Sequence, residues 1–253
     1  MTNLIALCGF IGSGKDAVGK IILLLTHSYN KWDKLPDENV TTQEIVNYLT
    51  NRDTSVIQRI DKYGGWKIKK FAEPLKRIAS ILTGIPVEDF EKQEIKNSYL
   101  PECWDKWLGF VQGENHWEKI TIRRFLQELG TDAIRNNLHP HSWINAAFAN
   151  YKPEYIPTVV ATYEQPDIAD GYLKFPKWIF TDTRFPNECE AIKNRGGVVI
   201  RIVRDDDNYT ESKHESETAL MNWKYDYVLS NNGSLDELVE NTKQMLQYFK
   251  IID

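Results

Sequence analysis

The sequence predicts a three-layer α/β fold with a mostly parallel central sheet. Short apolar runs alternate along the chain with segments of helical periodicity. The first run, within residues 3–8, is continuously apolar from Leu4 to Cys8, as a strand covered on both faces is. That run empties into a glycine loop followed directly by an amphipathic helix. No internal repeat, low-complexity tract or composition break divides the chain, so residues 1–253 read as one domain.

Core strands are expected at about 3–8, 66–71, 178–181, 198–203 and 227–229. After the glycine loop, Val18, Ile21, Ile22 and Leu25 recur at helical spacing, with Asp16 at the positive end of the helix dipole. Residues 26–64 are mostly polar, with helical patches at 42–49 and 55–63, and form a helical excursion. Trp66 to Phe71 alternates as a strand, and Glu73-Pro74-Leu75 opens a helix where a missing N–H costs least. The stretch from Pro86 to Glu118 is charged and tryptophan-rich and receives no element. Thr121 starts a helix with Ile122, Phe125, Leu126 and Leu129 on one face and Arg123, Arg124 and Glu128 on the other. Another helix begins at Ser142 and ends before Tyr151. Residues 153–176, with Pro153, Pro157, Pro166 and Pro176, read as an irregular insertion or hairpin. A helix from Asn187 to Lys193 is stopped by Gly196-Gly197. The last helix, Ser234 to about Phe249, turns Leu235, Leu238, Val239, Thr242, Met245 and Leu246 inward. Insertions then fall at about 26–64, 86–176 and 204–217.

With 42% hydrophobic and 26% charged residues in 253, collagen, long coiled coils and wholesale disorder are excluded. There are 31 basic and 36 acidic side chains, a net charge of −5, so no global positive field exists to hold a nucleic-acid polymer. A local basic pocket for a small anion is compatible with that balance. No run approaches the roughly 18 apolar residues of a membrane span, and the N-terminal run meets a glycine loop instead of a cleavage site. The expectation is a soluble, cytoplasmic chain. Cys8, Cys103 and Cys189 are odd in number and without CxxC pairing, which suggests neither a disulfide framework nor a zinc site. The spacing of His139, His141 and His214 fits no zinc pattern either.

The loop Gly9-Phe10-Ile11-Gly12-Ser13-Gly14-Lys15-Asp16 fits G-x-x-x-x-G-K between a buried strand and a helix. Glycines let successive backbone N–H groups point at a phosphate, the helix N-terminus adds partial positive charge, and Lys15 supplies a mobile cation. Asp16 stands where Ser or Thr is usual, and its oxygen can serve a magnesium ion directly or through water. Nucleoside triphosphate binding follows. A second anion site is suggested where Phe180-Thr181-Asp182-Thr183-Arg184 leaves the carboxyl end of a strand, the edge at which open α/β sheets hold ligands. Asp182, Arg184 and Glu188 are expected to face that crevice, with the Arg184 fork suited to phosphate oxygens. A structural Arg–Asp pair is the alternative. Arg123 and Arg124, taken alone, read as a solvated face.

Six blocks in order resemble the bacteriophage deoxynucleoside monophosphate kinases of the P-loop NMP-kinase group. They are GFIGSGKD at 9–16, FAEPLKRIASILTG at 71–84, RRFLQELGTDAIR at 123–135, FTDTRFPNECEAI at 180–192, HESE at 214–217 and NNGSLDEL at 231–238. The resemblance implies a P-loop NTPase fold of NMP-kinase type with a lid. It implies ATP binding by Gly12, Ser13, Gly14, Lys15, Asp16 and Ala17, with Asp16 on the Mg2+ side. It further implies an acceptor site of Arg123, Arg124, Gly130, Thr131, Trp143, Asp182, Arg184 and Glu188, Trp143 being a base-stacking candidate. A homodimer is implied by the resemblance alone.

Phosphoryl transfer needs positioning and charge neutralisation. The expected roles are Lys15 and Mg2+ on the donor phosphates, Arg123 and Arg184 on the transferring group, and Asp182 on the acceptor or its arginine. Water exclusion calls for a lid. Arg204, Lys213 and Asp205-Asp206-Asp207 form one candidate, residues 153–176 the other. A P-loop kinase for another small acceptor, such as dephospho-coenzyme A, and a non-enzymatic nucleotide switch stand as alternatives.

Overall fold

The computed structural model describes residues 2–28, 40–51, 65–111, 114–157, 171–205 and 218–253. These residues fall into two compact units, the first made of 1–70 and 150–253 and the second of 71–149.

In the first unit, β1 (Leu4–Cys8), β2 (Lys67–Lys69), β7 (Trp178–Phe180), β8 (Val198–Val203) and β9 (Tyr227–Ser230) form one sheet in the order β2-β7-β1-β8-β9. Every neighbouring pair is parallel, with Ile5 in register with Ile179 on one side and Val198 on the other. All five expected strands are present. β2 is shorter than the alternating run around it, because Trp66 and Phe71 bury themselves outside the ladder.

The strand β1 is completely buried, and its alternation assigns the layers. Ile5 and Leu7 enter a core with Val18, Ile21 and Ile22 of α1 (Lys15–Ser28), Ile45 of α2 (Thr42–Asn51), and Leu238, Val239, Met245 and Leu246 of α8 (Leu235–Tyr248). Leu4 and Cys8 point the other way, toward Ile192 and Cys189 of α7 (Pro186–Lys193). Each fully buried Leu or Ile contributes roughly 1.5–3 kcal/mol, so a central strand of this composition anchors both layers. Helix α7 ends as expected: Gly196, at φ 74°, donates to the Lys193 carbonyl, and Gly197 donates to that of Ile192. Ser234 caps α8 by accepting the Glu237 N–H. The proline-rich insertion contains an antiparallel hairpin, β5 (Glu154–Pro157) with β6 (Gly171–Lys174). The expected helix at 55–63, the HESE block and much of both lid candidates lie outside the described residues.

The second unit holds α3 (Glu73–Thr83), α4 (Gln93–Asn97), α5 (Ile122–Gln127) and α6 (Ser142–Phe148). Its core gathers Ala79, Phe90, Leu100, Ile120 and Ile122, with Phe125, Leu126 and Leu129 packed against it, the face the helical spacing predicts. Past Gln127 the helix widens to π-helical pairing over Glu128–Asn136, a rare form that is frequent at functional sites. The segment without an assigned element contains a second hairpin, β3 (Lys106–Val111) with β4 (Glu114–Glu118). Trp107 and Trp117 face each other across it and are both largely exposed, so the hairpin lacks the buried alternate face that marks a strand in sequence.

Candidate active site

The chain leaves β1 at Cys8 and turns through Gly9, Gly12 and Gly14, all at positive φ. Ser13, fully buried, closes the turn by donating its N–H to the Phe10 carbonyl at 3.2 Å. The Lys15 ammonium folds back over the loop and donates to the carbonyls of Gly9 at 2.7 Å and Phe10 at 2.6 Å, with the Ser13 hydroxyl at 3.4 Å. Gly14 is required twice over. Its φ of 98° disfavours any side chain, and a Cβ there would sit 2.4 Å from Nδ2 of Asn231. That amide donates to the Ser13 carbonyl at 2.8 Å, while the Asn231 N–H is held by Val203 at the end of β8. Asn231 thus braces the phosphate loop from the exit of β9. Asn231 lies in the NNGSLDEL block, and no local pattern announces its role, since the bond spans 218 residues.

Asp16 opens α1 with its carboxylate toward solvent, its side chain 68% exposed. It accepts a hydrogen bond from the Thr181 hydroxyl at 2.9 Å and stands 3.5 Å from the Lys70 ammonium. Ala17 packs on the core behind the loop, and Gly12 is exposed at its tip. Below the loop, the Cys8 thiol is raised well above its usual range by hydrogen bonding to Cys189 and by burial, so it stays protonated and packs.

Beyond Thr181, Asp182 and Arg184 are half-buried, and Arg184 lines a solvent-open pocket together with Gly9 and Phe10. Glu188 is expected to face the crevice; the structure instead buries it to 2% exposure in the first turn of α7. Its Oε2 accepts the N–H groups of Arg184 at 2.8 Å and Phe185 at 3.2 Å. The capping carboxylate therefore holds the backbone that presents Arg184.

The remaining expected residues lie in the second unit. Thr121 caps α5 by accepting the Arg124 N–H. Arg123 donates to Gln93 at 2.8 Å and Asn97 at 3.2 Å, tying α5 to α4. Arg124 bridges Glu118 of β4 at 2.5 Å and Glu128 at 2.7 Å, and Lys106 of β3 also reaches Glu128. The Arg124 hydrogen bond holds the Glu118 carboxyl below the usual range. Burial works to raise Glu128, and the Lys106 and Arg124 hydrogen bonds outweigh it. Gly130 and Thr131 are buried in the π-helical stretch. The Trp143 indole, 6% exposed, donates to the Gly130 carbonyl at 2.8 Å, so its ring is packed inside this unit.

Among the described residues no three His, Cys, Asp or Glu side chains gather as a metal cluster, and no helix is long and apolar enough to cross a membrane. Of the first lid candidate, Arg204 and Asp205 are described, and Asp205 exchanges hydrogen bonds with Asn232.

A glycine loop running from the central strand of a five-stranded parallel sheet into a helix, with a lysine closing it, defines an α/β fold of the P-loop kinase class. The sequence model of the deoxynucleotide monophosphate kinases matches residues 77–242, and the chain belongs to that family. The deoxynucleotide monophosphate kinase of Escherichia phage RB69 is 32% identical over 50% of this chain and 45% of its own length. That of Enterobacteria phage T4 is 30% identical over 53% of this chain and 47% of its own. A protein of Acanthamoeba polyphaga mimivirus, whose name provisionally assigns the same activity, is 30% identical over 78% of this chain and 94% of its own. The match thus spans about half the length of the two phage relatives.

Proposed function

We propose that this chain transfers the γ-phosphoryl group of ATP to deoxynucleoside monophosphates, forming the diphosphates and ADP. The observation that carries the reading is the placement of Arg184 on a pocket that also contains Gly9 and Phe10 of the phosphate loop, in a chain of the deoxynucleotide monophosphate kinase family. Such a pocket sets a cation for the transferring group beside the loop that holds the donor.

In the reaction, an oxygen of the acceptor phosphate bonds to the γ-phosphorus while the bond to the β–γ bridging oxygen breaks, and ADP leaves with that electron pair. Little covalent help is needed; fixed positive charge and alignment lower the barrier. Residues Gly12 to Ala17 are assigned to the donor, with loop N–H groups toward the phosphates. Lys15 leaves the Gly9 and Phe10 carbonyls to meet the β and γ oxygens. Arg123 and Arg184 neutralise the transferring group, and Asp182 orients the acceptor or a guanidinium. Arg124, Gly130, Thr131 and Trp143 are assigned to acceptor binding, with Trp143 acting by fixing the Gly130 carbonyl. Glu188 acts as a positioning residue beneath Arg184.

Asp16 and Thr181 present hard oxygens at the start of α1, a donor set that fits Mg2+, which takes one or two protein ligands and keeps phosphates and water as the rest. Bound there, the ion would neutralise donor phosphate charge. The kinase is proposed to act in the cytoplasm, as one domain over 1–253 with insertions at about 26–64, 86–176 and 204–217, and as a homodimer. Sedimentation tests the last point, and a monomer at assay concentration would remove it.

The deciding experiment measures ADP formation from ATP and Mg2+ with each deoxynucleoside monophosphate, each ribonucleotide, dephospho-coenzyme A and no acceptor. Deoxynucleotide-dependent turnover is expected. Turnover with dephospho-coenzyme A alone, or ATP binding with no acceptor stimulation, would overturn the reading.

A further inference from the structure

The pocket beside the phosphate loop contains more chemistry than Arg184. Its wall includes Thr183, Arg201 and Tyr225 along with Gly9 and Phe10, and all of these belong to the first unit. Thr183 is 2% exposed, and its hydroxyl has no hydrogen-bond partner among the described residues. A buried hydroxyl without a partner costs stability, and in a residue that lines a pocket it is a group that an entering ligand can satisfy.

Arg201, near the end of β8, supplies the second half. Its guanidinium carbon lies 5.7 Å from the Phe10 ring centroid and 5.4 Å from that of Tyr225. Two aromatic rings hold the cation without neutralising it, and among the described residues it forms no ion pair with a carboxylate. Tyr225 does not supply negative charge: its hydroxyl donates to the Leu220 carbonyl at 2.6 Å, and burial pushes its phenol up to about 12. Glu188, the nearby acid on α7, is occupied with backbone N–H groups. The pocket thus presents a hydroxyl and guanidinium forks, a donor set that suits a phosphate oxyanion.

We propose that Thr183 and Arg201 complete, with Arg184, an oxyanion site that takes the phosphoryl group of the acceptor monophosphate. The inference rests on the kinase reading and deepens it, because it assigns acceptor recognition to side chains outside the family-derived set. Arg201 reaches the site from a strand, backed by the sheet and clamped by rings, so its position is set before ligand arrives.

Titration calorimetry on the whole chain tests this, using each deoxynucleoside monophosphate, its unphosphorylated deoxynucleoside, ATP and orthophosphate against wild type, Thr183→Val, Arg201→Gln and Arg201→Lys. Thr183→Val removes a hydroxyl without a partner, so it is expected to melt at or above the wild-type temperature while binding monophosphate about fivefold to tenfold more weakly. Arg201→Gln is expected to lose about tenfold or more, with Arg201→Lys recovering part of it, since a lysine keeps the charge and loses the fork. Binding of deoxynucleoside and of ATP is expected to be unchanged. Unaltered monophosphate affinity in Thr183→Val and Arg201→Gln overturns the proposal, and an equal loss for ATP overturns its assignment to the acceptor. Should wild type neither bind nor turn over any monophosphate, the kinase reading fails separately. The oxyanion site then survives only if orthophosphate binding weakens in Thr183→Val and Arg201→Gln.

Discussion

The phosphate loop and the arginine helix of the second unit, both proposed to serve a phosphate, hold their cations in opposite ways. At the loop, Lys15 rests on backbone carbonyls one turn away, and the shape is made by glycines within a few residues of one another. On α5, Arg123 and Arg124 are held by side chains, among them Gln93 and Asn97 of α4 and Glu118 of β4. A cation resting on carbonyls is displaced at little cost by a phosphate that offers stronger oxygens. One bridging two carboxylates has to exchange or share them. The loop lysine contributes to the shape of its own turn, whereas Arg124 contributes order to its own unit as well as charge.

The largest effect expected from this contrast is at the loop. Lys15→Ala should lower kcat on the order of 10³-fold with little change in melting temperature, because the ammonium contributes charge in the transition state and no buried packing. A drop below tenfold would remove the role of Lys15 on the transferring phosphate. Arg184→Gln comes next, at about 10²-fold or more in turnover and again without unfolding; near-normal activity would remove its role. Asn231→Ala tests whether the loop is braced from outside, with an expected loss of about 1 kcal/mol in stability and a raised KM for ATP at little cost in kcat. Trp143→Phe should cost about 1 kcal/mol through the lost bond to the Gly130 carbonyl, and hydrogen exchange should localise the loosening to the second unit.

The smallest effect is one of pH. The Glu118 carboxyl is held below its usual value of 4.5, chiefly by the Arg124 hydrogen bond. Its stabilising contribution is therefore complete above that value and lost as pH falls through the lowered folded one. Relative to the intrinsic rate at each pH, amide exchange in the β3–β4 hairpin should quicken below pH 4.5 while the β1 amides stay protected. Equal quickening in both would show that the ion pairs do not set the hairpin's order.

The loop and the sheet were legible because their causes are local. Continuous burial in β1, the glycines at positive φ and the spacing of Val18, Ile21 and Ile22 all lie within twenty residues of chain. The hairpin at 106–118 escaped because its tryptophans face solvent, and apolar periodicity reports only burial. Asn231 lay inside a recognised block, yet its task depends on a carbonyl at Ser13 that no sequence window contains. The segment's exit from the carboxyl end of a strand points Glu188 to the crevice, and its place in the first turn of α7 makes it a buried cap instead.

By itself the sequence determined the α/β class and the phosphate loop, since hydrophobic alternation and backbone permissiveness act over short range and leave their mark in residue type; the family was legible as a resemblance of six ordered blocks. Only the tertiary structure decided which charged and polar groups are occupied and which are available. It tied Arg124 to two carboxylates and Glu188 to backbone, and it left the Thr183 hydroxyl buried without a partner in a residue that lines a pocket with Arg201. Whether a polar group is satisfied depends on partners brought close by the packing of distant segments, which a linear pattern does not contain.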